Sequence, residues 1–526
     1  MKRSLCRAFL LATALLVGAC GGGGGGGSSS TTTTTPPPPV TIPEYRPTGK
    51  AAAGDTFAVL WEWPWPDVAL ACERHLGPDG YAAVLVSAPN EHAVLPNYPW
   101  YQRYQPVSYK LDQSRSGNAA QFTEMLARCN ARGVAVYVDA VINHMAATVN
   151  GNGSAGSAYK RYDYPAVPYV RDDFHASCSV NNYQSADNVQ NCELVSLPDL
   201  KTEAETVRQK IAAYLIAMNK LGVKGFRIDA AKHIAPADLD AILAKVNQAA
   251  TAEARGIPYV FLEIINNAGE AVTPQQYFGT GFASGGAADV TEFQAAYQLS
   301  DSFLGRNGHS LAELVNFGQG LLPTDKAHTF VTNHDTERGN LLYWADGALY
   351  HLAQIFLLAH PYGYPAIHSG YQFDRYSQAG RDAGPASDAN GLTLPVFGAA
   401  DNTSCGMARA NQWTCDHYYL GGMVGFRKAT AGATLTRWQS PNANAIGFAR
   451  GNRGFVALNQ ANAPLSGFSW QTDLPTALYC NVAMDRFDSI TKTCSGIPIT
   501  IGADGTFTTA IAAQAAVALH VGARLD

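Results

Sequence analysis

Charge is scarce in this sequence. Asp, Glu, Lys and Arg together make up only 15% of the 526 residues, and no basic run is longer than a dipeptide. Because phosphate backbones are bound by clustered Lys and Arg side chains, no nucleic-acid partner is expected. The ten cysteines contain no CxxC spacing, which disfavours a zinc site. Beyond residue 20 there is no apolar run of about 18 residues, so no spanning helix is expected there.

Apolar residues, by contrast, make up 47% of the chain. A chain of this length and composition can bury a large core, which excludes a disordered or fibrous protein. Length alone predicts three or four domains at roughly 150 residues each.

Residues 1–20 have the pattern of an export signal. Two basic residues precede an apolar stretch from Ala8 to Val17, which is too short to span a membrane. The segment ends Val17-Gly18-Ala19-Cys20 and resembles the bacterial lipobox, in which the Cys becomes the lipidated first residue of the mature protein. We therefore expect lipidation at Cys20 and a location on the bacterial cell surface or outer membrane. The alternative is an ordinary signal peptide cut near Ala19, followed by secretion.

Residues 21–50 are a low-complexity linker of Gly, Ser, Thr and Pro runs. Gly and Ser runs are flexible and the proline run is a stiff spacer, so this segment would hold a folded domain away from a membrane. We expect a monomer that contacts the membrane only through its lipid anchor.

An exported chain can form disulfides. With Cys6 and Cys20 set aside, eight cysteines remain. The last six fall into three close sequential pairs, which leaves one long-range pair. The predicted disulfides are Cys72–Cys129, Cys178–Cys192, Cys405–Cys415 and Cys480–Cys494.

From residue 57 onward, short apolar runs alternate with amphipathic stretches such as Thr206–Leu221. This alternation predicts a parallel sheet, open or closed. The predicted strands are Phe57–Trp61, Ala82–Ser87, Val134–Asp139, Gly225–Asp229, Tyr259–Ile264 and Thr329–Asn333.

Two regions break the alternation. Residues 143–192 are rich in Asn, Gly, Ser, Tyr and Asp, and they indicate a long insertion after the third strand. After about residue 428 the helical pattern stops. Short apolar runs at Ala445–Arg450, Gly454–Asn459 and Ala515–Val521 then predict a separate antiparallel β domain.

Polar residues stand at the ends of three predicted strands: Arg227 with Asp229, then Glu263, then Asn333 with Asp335. Alternate residues of a strand share a face, and parallel barrels place their active sites at the carboxyl ends of the strands. Three carboxylates would therefore converge. One isolated Asp in such a place could equally be a helix cap, but three clusters favour a site.

Converging carboxylates suit glycoside hydrolysis, which needs a carboxylate nucleophile and a protonated acid. Arg227 beside Asp229 would favour an ionised nucleophile. Glu263 lies between Leu262 and Ile264 with no neighbouring cation in sequence, so we expect a raised pKa and an acid role.

Four segments then resemble, in order, the motif regions of the α-amylase family of glycoside hydrolases. They are DAVINH (139–144), GFRIDAAKH (225–233), FLEII (261–265) and FVTNHD (330–335). WYQRYQPVSYKL (100–111) and LAHPYG (358–363) resemble the subgroup that holds animal and actinobacterial members. The resemblance covers roughly residues 50–430 well and the C-terminal region loosely.

This resemblance implies a fold and domain boundaries. The fold is a (β/α)8 TIM barrel with a domain inserted after strand 3 and a C-terminal antiparallel β-sandwich. The barrel would span 51–143 and 200–428, the inserted calcium-binding domain 144–199, and the sandwich 429–526.

The resemblance also implies roles for individual residues. Asp229 would be the nucleophile, Glu263 the general acid/base, and Asp335 the carboxylate that orients sugar hydroxyls; Arg227 would hold Asp229. The implied substrate contacts also include Trp100, Tyr101, Tyr104, Gln105, His144, Lys232, His233, Glu270 and His334. Core packing is an equal alternative for Tyr104.

Two ions follow from the same resemblance. Ca²⁺ would be bound by the side chains of Asn143 and Asp199 and the backbone carbonyls of Gln190 and His233, and such oxygen ligands suit it. Animal members bind an activating chloride through two basic residues and an Asn. Here Arg227 and Asn333 are present but Ala366 replaces the second Arg, so we expect no chloride activation.

The predicted activity is retaining endo-hydrolysis of α-1,4-glucosidic bonds in starch, glycogen and related maltooligosaccharides. A transglycosylase on the same site is one alternative, since water or a sugar hydroxyl can resolve the intermediate. A non-catalytic starch-binding surface lipoprotein is the other. The glycine-rich loop that animal members carry after the seventh strand is shortened here to Thr336–Asp346, so cleft shape or product release would differ.

Overall fold

The computed structural model describes residues 56–278, 288–397 and 413–525. Cys20, the linker and Cys405 lie outside these ranges, and so do the predictions of lipidation and of the Cys405–Cys415 pair. None of the described helices is both long and apolar enough to cross a membrane.

Eight parallel strands close into a barrel, which confirms the predicted fold. Each strand pairs with its neighbours in chain order, and the eighth pairs with the first. The strands are β1 (Phe57–Leu60), β2 (Ala83–Val86), β3 (Ala135–Ala140), β4 (Gly225–Ile228), β5 (Tyr259–Leu262), β6 (Asp289–Thr291), β7 (Ala327–Thr329) and β8 (Tyr364–Ser369).

The sequence prediction was wrong for three strands. β7 ends at Thr329, so the predicted strand Thr329–Asn333 was placed too late, because the apolar residues 330–331 continue past the last strand pairing. β6 and β8 were missed. β6 has only three residues and begins with Asp289, while β8 contains Pro365 and His368, which interrupt its apolar pattern.

Aromatic rings fill the inside of the barrel. Phe57, Tyr137, Phe261 and Tyr364 belong to one buried cluster, with the Phe57 and Tyr364 ring centroids 5.0 Å apart. Gly225 lies opposite Tyr137 in the β3–β4 register, and a Cβ there would stand 2.6 Å from the Tyr137 ring. Large and small residues therefore alternate, as a filled barrel requires.

Amphipathic helices cover the outside of the barrel. The predicted helix at Thr206–Leu221 is present and begins one residue earlier, with Val207, Ile211 and Leu215 on its buried face. The longer helices are α1 (Trp65–Ala71), α2 (Ala119–Ala131), α3 (Glu205–Leu221), α4 (Pro236–Ala252), α5 (Phe293–Leu304), α6 (Ala348–Ala359) and α7 (Gly421–Ala429).

Local chemistry fixes the ends of these helices. Asn118 and Gln121 form a reciprocal capping box at the start of α2. α3 ends at Gly222, whose φ of 115° is a left-handed conformation that glycine adopts without strain. α4 begins with Pro236, which has no backbone N–H to leave unpaired.

The segment between β3 and β4 is the predicted insertion. It carries a two-stranded sheet (Asn150–Asn152 with Ala158–Lys160) and a short helix (Ala186–Asn191). A disulfide joins Cys178 to Cys192. The predicted pairs Cys72–Cys129 and Cys480–Cys494 are also disulfides in the structure.

The C-terminal region contains antiparallel sheets. The largest has the order β9 (Leu435–Asn442), β10 (Ala445–Arg450), β11 (Gly454–Asn459) and β12 (Ala515–His520). This region packs on the barrel, because Phe448 contacts Phe356 of α6 with ring centroids 5.9 Å apart. Arg450 Nη1 also donates to the Ala359 carbonyl at 2.8 Å. Trp470 is fully buried under the outer face of the large sheet.

Candidate active site

Acidic residues and one arginine meet at the carboxyl ends of β3, β4 and β5. Asp139 in β3 lies directly opposite Arg227 in β4. Asp229 follows β4 and Glu263 follows β5, each by one residue. Neighbouring parallel strands thus deliver four charged side chains to one end of the barrel.

Arg227 is the centre of this group. Its Nη1 lies 2.6 Å from Asp139 Oδ1 and 3.0 Å from Asp229 Oδ1, and its Nη2 lies 2.6 Å from Glu263 Oε1. The guanidinium is almost fully buried, and burial strengthens each of these charge interactions. One cation therefore holds three carboxylates.

Burial and repulsion between the carboxylates act against the effect of Arg227 on the pKa values of Asp229 and Asp139. Burial raises the pKa of Asp229 well above its ordinary value and also raises the pKa of Asp139, while Arg227 lowers both. A single positive charge offsets the repulsion among three buried carboxylates only in part, which favours retention of a proton within the group. Such a shared proton is what acid catalysis needs.

Glu263 differs from the sequence expectation. It has no cationic neighbour in the chain, yet the fold brings Arg227 to 2.6 Å from it. Its other oxygen, Oε2, accepts a hydrogen bond from the Ala230 backbone N–H at 2.8 Å. Ala230 has a left-handed φ of 48°, a conformation that is costly for a residue with a Cβ and that marks the sharp turn after β4.

Asp335 approaches from the segment after β7. The Asn333 side-chain oxygen accepts hydrogen bonds from the backbone N–H groups of Asp335 and Thr336 at 3.1 and 2.9 Å, which fixes the turn. Burial and the charge of Glu263 raise the pKa of Asp335. The Asp335 side chain is 39% exposed, so solvent tempers this shift and the carboxylate remains open to the cleft.

An aromatic wall borders the carboxylates. The His334 ring stacks on Trp61 and on Tyr104, with centroids 4.9 and 5.1 Å apart. Tyr104 also donates a hydrogen bond to Asp139 Oδ2 at 2.9 Å and accepts one from Trp61 Nε1 at 3.1 Å. Burial and nearby cations lower the pKa of His334 well below its usual range, so its imidazole is neutral.

The other residues predicted to contact substrate fall into two groups. Trp100, Tyr101, Gln105 and His144 lie beside this wall: Trp100 packs edge-on against Tyr101, and His144 Nε2 donates to the Tyr104 carbonyl at 2.9 Å. Gln105 Oε1 accepts from the Ala147 N–H at 3.0 Å, which ties it to the insertion.

Lys232, His233 and Glu270 form the second group. Lys232 Nζ pairs with Glu270 and donates to the Ile265 carbonyl at 2.6 Å. His233 Nδ1 donates to the Val189 carbonyl at 2.8 Å, which links the turn after β4 to the helix of the insertion. These contacts place the three side chains beyond Glu263, on the side of the insertion.

Sequence reasoning missed Asp139, Trp61 and Arg338. The first lies in the quoted segment DAVINH, so its position was visible, but its role depends on the register with Arg227. Arg338 is buried, donates to the His334 carbonyl at 2.6 Å, and lies over the Trp61 and Trp100 rings at 4.7 and 4.8 Å. Nothing in the sequence around it indicates these contacts.

Two of the four residues predicted to bind calcium contact each other, and His233 contacts the helix that carries Gln190. Asn143 Nδ2 lies 3.2 Å from Asp199 Oδ1, and both residues are buried. Gln190 is in the last turn of the helix that contacts His233. Among the described residues, no cluster of three His, Cys, Asp or Glu side chains could hold a metal ion. A site here would therefore depend on amide and backbone oxygens.

A closed parallel barrel that gathers carboxylates around one arginine at its carboxyl end is the architecture of a TIM-barrel glycoside hydrolase. Residues 97–268 match the alpha-amylase catalytic domain. Over 474 residues the chain is 42% identical to an alpha-amylase of Thermomonospora curvata, covering 89% of this chain and 73% of that protein. It is 41% identical to an alpha-amylase of Tribolium castaneum, covering 90% of this chain and 96% of that protein. The chain belongs to the alpha-amylase family.

Solved structures agree with this assignment. Alpha-amylase I of Eisenia fetida superposes with a TM-score of 0.81 at 33% identity, covering 91% of this chain and 99% of that one. A mutant of the same enzyme, solved as a complex with maltohexaose, superposes with a TM-score of 0.78 at 34% identity and with the same coverage.

Proposed function

We propose that this protein cleaves internal α-1,4-glucosidic bonds of starch, glycogen and maltooligosaccharides with retention of anomeric configuration. The observation that carries the proposal is the shared guanidinium: Asp229 and Glu263 both contact Arg227. Carboxylates held on one guanidinium can approach the separation of about 5 Å that retaining glycosidases need.

Each carboxyl group has one task in the reaction. Asp229 attacks the anomeric carbon while Glu263 gives its proton to the departing glycosidic oxygen, and a glycosyl ester forms on Asp229. Water then attacks the same carbon and passes a proton to Glu263. The bond between that carbon and the Asp229 oxygen breaks, and Asp229 is free again. Asp335 accepts hydrogen bonds from sugar hydroxyls and stabilises the positive charge of the transition state.

Two neutral histidines can also form hydrogen bonds with the sugar hydroxyls. Burial lowers the pKa of His144 to about 4, and His334 is likewise neutral. A neutral imidazole can donate to or accept from a sugar hydroxyl without adding charge beside the carboxylates. Trp100 and Tyr101 give aromatic surface for the apolar faces of the sugar rings.

Incubation with soluble starch tests the proposal. We expect reducing ends to rise rapidly, with a mixture of shorter chains as products. Products longer than a maltoheptaose substrate would show that a sugar hydroxyl resolves the intermediate and would favour a transglycosylase. Starch binding without any new reducing ends would favour the non-catalytic lipoprotein.

We infer that Ca²⁺ is bound by oxygen atoms of the barrel and of the insertion. The Asp199 carboxylate is 2% exposed, and its ion-pair partner among the described residues is His175, at 2.7 Å, rather than Lys or Arg. The last turn of a helix leaves carbonyl oxygens without intrahelical donors, and Gln190 is in such a turn. Asn143, Asp199 and the carbonyls of Gln190 and His233 would hold Ca²⁺, which would tie the insertion to the barrel.

Chloride does not fit the residues present. The terminal nitrogens of Arg227 lie 3.0 Å from Asp229 Oδ1 and 2.6 Å from Glu263 Oε1, so both are already paired with carboxylate charge. A cavity of about 40 Å³ beneath the carboxylates is lined by Arg227, Asn333 and Ala366, but also by Asp139 and Glu263. An anion there would meet two acidic side chains and no uncommitted cation.

The disulfides at Cys72–Cys129, Cys178–Cys192 and Cys480–Cys494 indicate an oxidising, exported location. We further propose that a lipid on Cys20 tethers the enzyme to the bacterial cell surface or outer membrane, with the linker as spacer. The sequence pattern supports this proposal, with secretion of a free enzyme as the alternative.

A further inference from the structure

Tyr376 is the most exposed aromatic side chain among the described residues, with 80% of its surface open. It lies in the loop after β8, which ends at Ser369. That loop leaves the barrel at the same end as Asp229 and Glu263, because all eight strands are parallel. A large ring therefore projects into solvent on the face of the molecule that holds the catalytic group.

Hydrogen bonds attach this loop to the cleft wall. The Arg381 carbonyl accepts from Trp100 Nε1 at 2.9 Å and from Arg338 Nε at 3.1 Å. The Arg381 guanidinium in turn donates to the Arg375 carbonyl at 2.9 Å. The Arg375 carbonyl, next to Tyr376 in the chain, is therefore linked through Arg381 to Trp100 and Arg338 at the aromatic wall.

The loop is held in place before any ligand binds. The Tyr376 backbone N–H donates to Asp374 Oδ1 at 2.9 Å, and the Arg375 guanidinium lies 5.6 Å from the Tyr376 ring centroid. The Arg375 guanidinium lies 3.6 Å from the Tyr343 ring centroid and donates to the Leu341 carbonyl at 2.9 Å. An exposed ring that is already ordered loses little conformational entropy when a ligand stacks on it.

We propose that Tyr376 is a glucan-binding subsite outside the catalytic centre, where its ring stacks on a sugar unit of the same chain that is cleaved at Asp229 and Glu263. The ligand class follows from the chemistry of the surface. A neutral sugar presents an apolar C–H face to an aromatic ring, and the neighbouring Arg375 guanidinium is already engaged by Tyr343 and Leu341. This inference rests on the proposed glucan hydrolysis.

The experiment compares Tyr376→Ala with Tyr376→Phe on a long and a short substrate. For Tyr376→Ala on amylose we expect kcat/KM to fall roughly three- to ten-fold, through KM, which corresponds to the loss of one stacking contact. On p-nitrophenyl maltotrioside, which offers far fewer sugar units for contact, the same variant should match wild type. Tyr376→Phe keeps the ring and should stay close to wild type on both substrates.

Tyr419→Ala is the matched control, because Tyr419 is 40% exposed and lies outside this loop. It should leave both substrates unaffected. An equal loss on amylose and the trioside for Tyr376→Ala would overturn the proposal, and so would the absence of any change on amylose.

Calorimetric titration of maltoheptaose into Glu263→Gln, with and without Tyr376→Ala, separates this proposal from the proposed function. A weaker Kd by a similar factor in the double variant supports the subsite, and an equal Kd overturns it. If wild type hydrolyses neither substrate, the hydrolase proposal fails while the titration still decides the role of Tyr376.

Discussion

Arg227 Nη2 and Glu263 Oε1 are 2.6 Å apart, so the proposed general acid is ion-paired with the cation that also holds the proposed nucleophile. Protonation of Glu263 removes the charge that Arg227 attracts. The ion pair therefore weakens when Glu263 is protonated, and Arg227 then interacts more strongly with Asp229. The guanidinium favours the ionised form of both carboxyl groups, whereas the charge of Glu263 raises the pKa of Asp229, so repulsion between the two opposes their simultaneous ionisation.

Arg227→Gln should shift the acid limb of the pH–activity profile to higher pH. Arg227 lowers the pKa of Asp229, so its removal raises that pKa, and the ionised nucleophile is lost sooner as pH falls. We expect a shift of about one unit and a fall in kcat of about 100-fold. Rates on starch between pH 4 and 9 give the limb. Arg227→Lys retains the charge and should shift the limb less, and equal shifts in both variants would contradict this explanation.

Asp229→Asn should abolish starch hydrolysis. The amide cannot form the glycosyl ester, so we expect kcat to fall by about four orders of magnitude or more. Reducing-end release measures the loss, and an unchanged melting temperature shows that the fold is kept. Glu124→Gln, on an exposed side chain, is the control and should leave the rate unaffected. Retained activity in Asp229→Asn would overturn the assignment of the nucleophile.

Chelation with EDTA should lower the melting temperature by roughly 5 °C, as expected for loss of a cation bound about 100-fold above its Kd. Added Ca²⁺ should restore it. Asp199→Asn removes the charged ligand, so this variant should melt lower from the start and respond little to EDTA. A wild-type melt that EDTA leaves unchanged would rule out a stabilising calcium ion.

Activity should be the same in chloride-free and chloride-containing buffers of equal ionic strength. The cavity beneath the carboxylates has no uncommitted cation, because Ala366 stands where the resemblance places a second Arg. Initial rates on starch over a range of NaCl and sodium acetate concentrations provide the comparison. A large rise with chloride alone would refute this prediction.

Cys20→Ser should release the protein from membranes. Without the thiol there is no site for the lipid, and the remaining linker is too polar to anchor the chain. Fractionation of expressing cells, followed by an amylase assay of each fraction, shows where the enzyme is located. A membrane fraction that keeps the variant would argue against lipidation at this residue.

Much of the barrel was predictable because its strands are short apolar runs bounded by turns. Where polar residues enter a strand, as Asp289 does in β6 and His368 in β8, the pattern fails although the strand forms. Those side chains face a packed interior that only the closed barrel creates. Local sequence therefore predicts the strands that look apolar and misses those that carry polar residues, such as Asp289, whose Oδ2 accepts a hydrogen bond from the distant Tyr259 hydroxyl at 2.6 Å.

The sequence indicated the residues of the candidate site, but it did not show which of their charged groups are paired. The motifs identified Asp229, Glu263 and Asp335 by resemblance. They did not show that Arg227 reaches Glu263, because that contact depends on the strand register and on the turn at Ala230. The same holds for Arg338, whose position is set by His334 and two tryptophans from elsewhere in the chain.

Because the C-terminal sheet packs on α6, we expect the sheet and the barrel to unfold together. Phe448 and Arg450 cover a helix that lies against the barrel, so loss of the sheet would expose Phe356 and leave the Ala359 carbonyl without its donor. Heating should therefore melt both in a single cooperative transition. A chain truncated at residue 429 would lose both contacts, so we expect it to be less stable than the full chain.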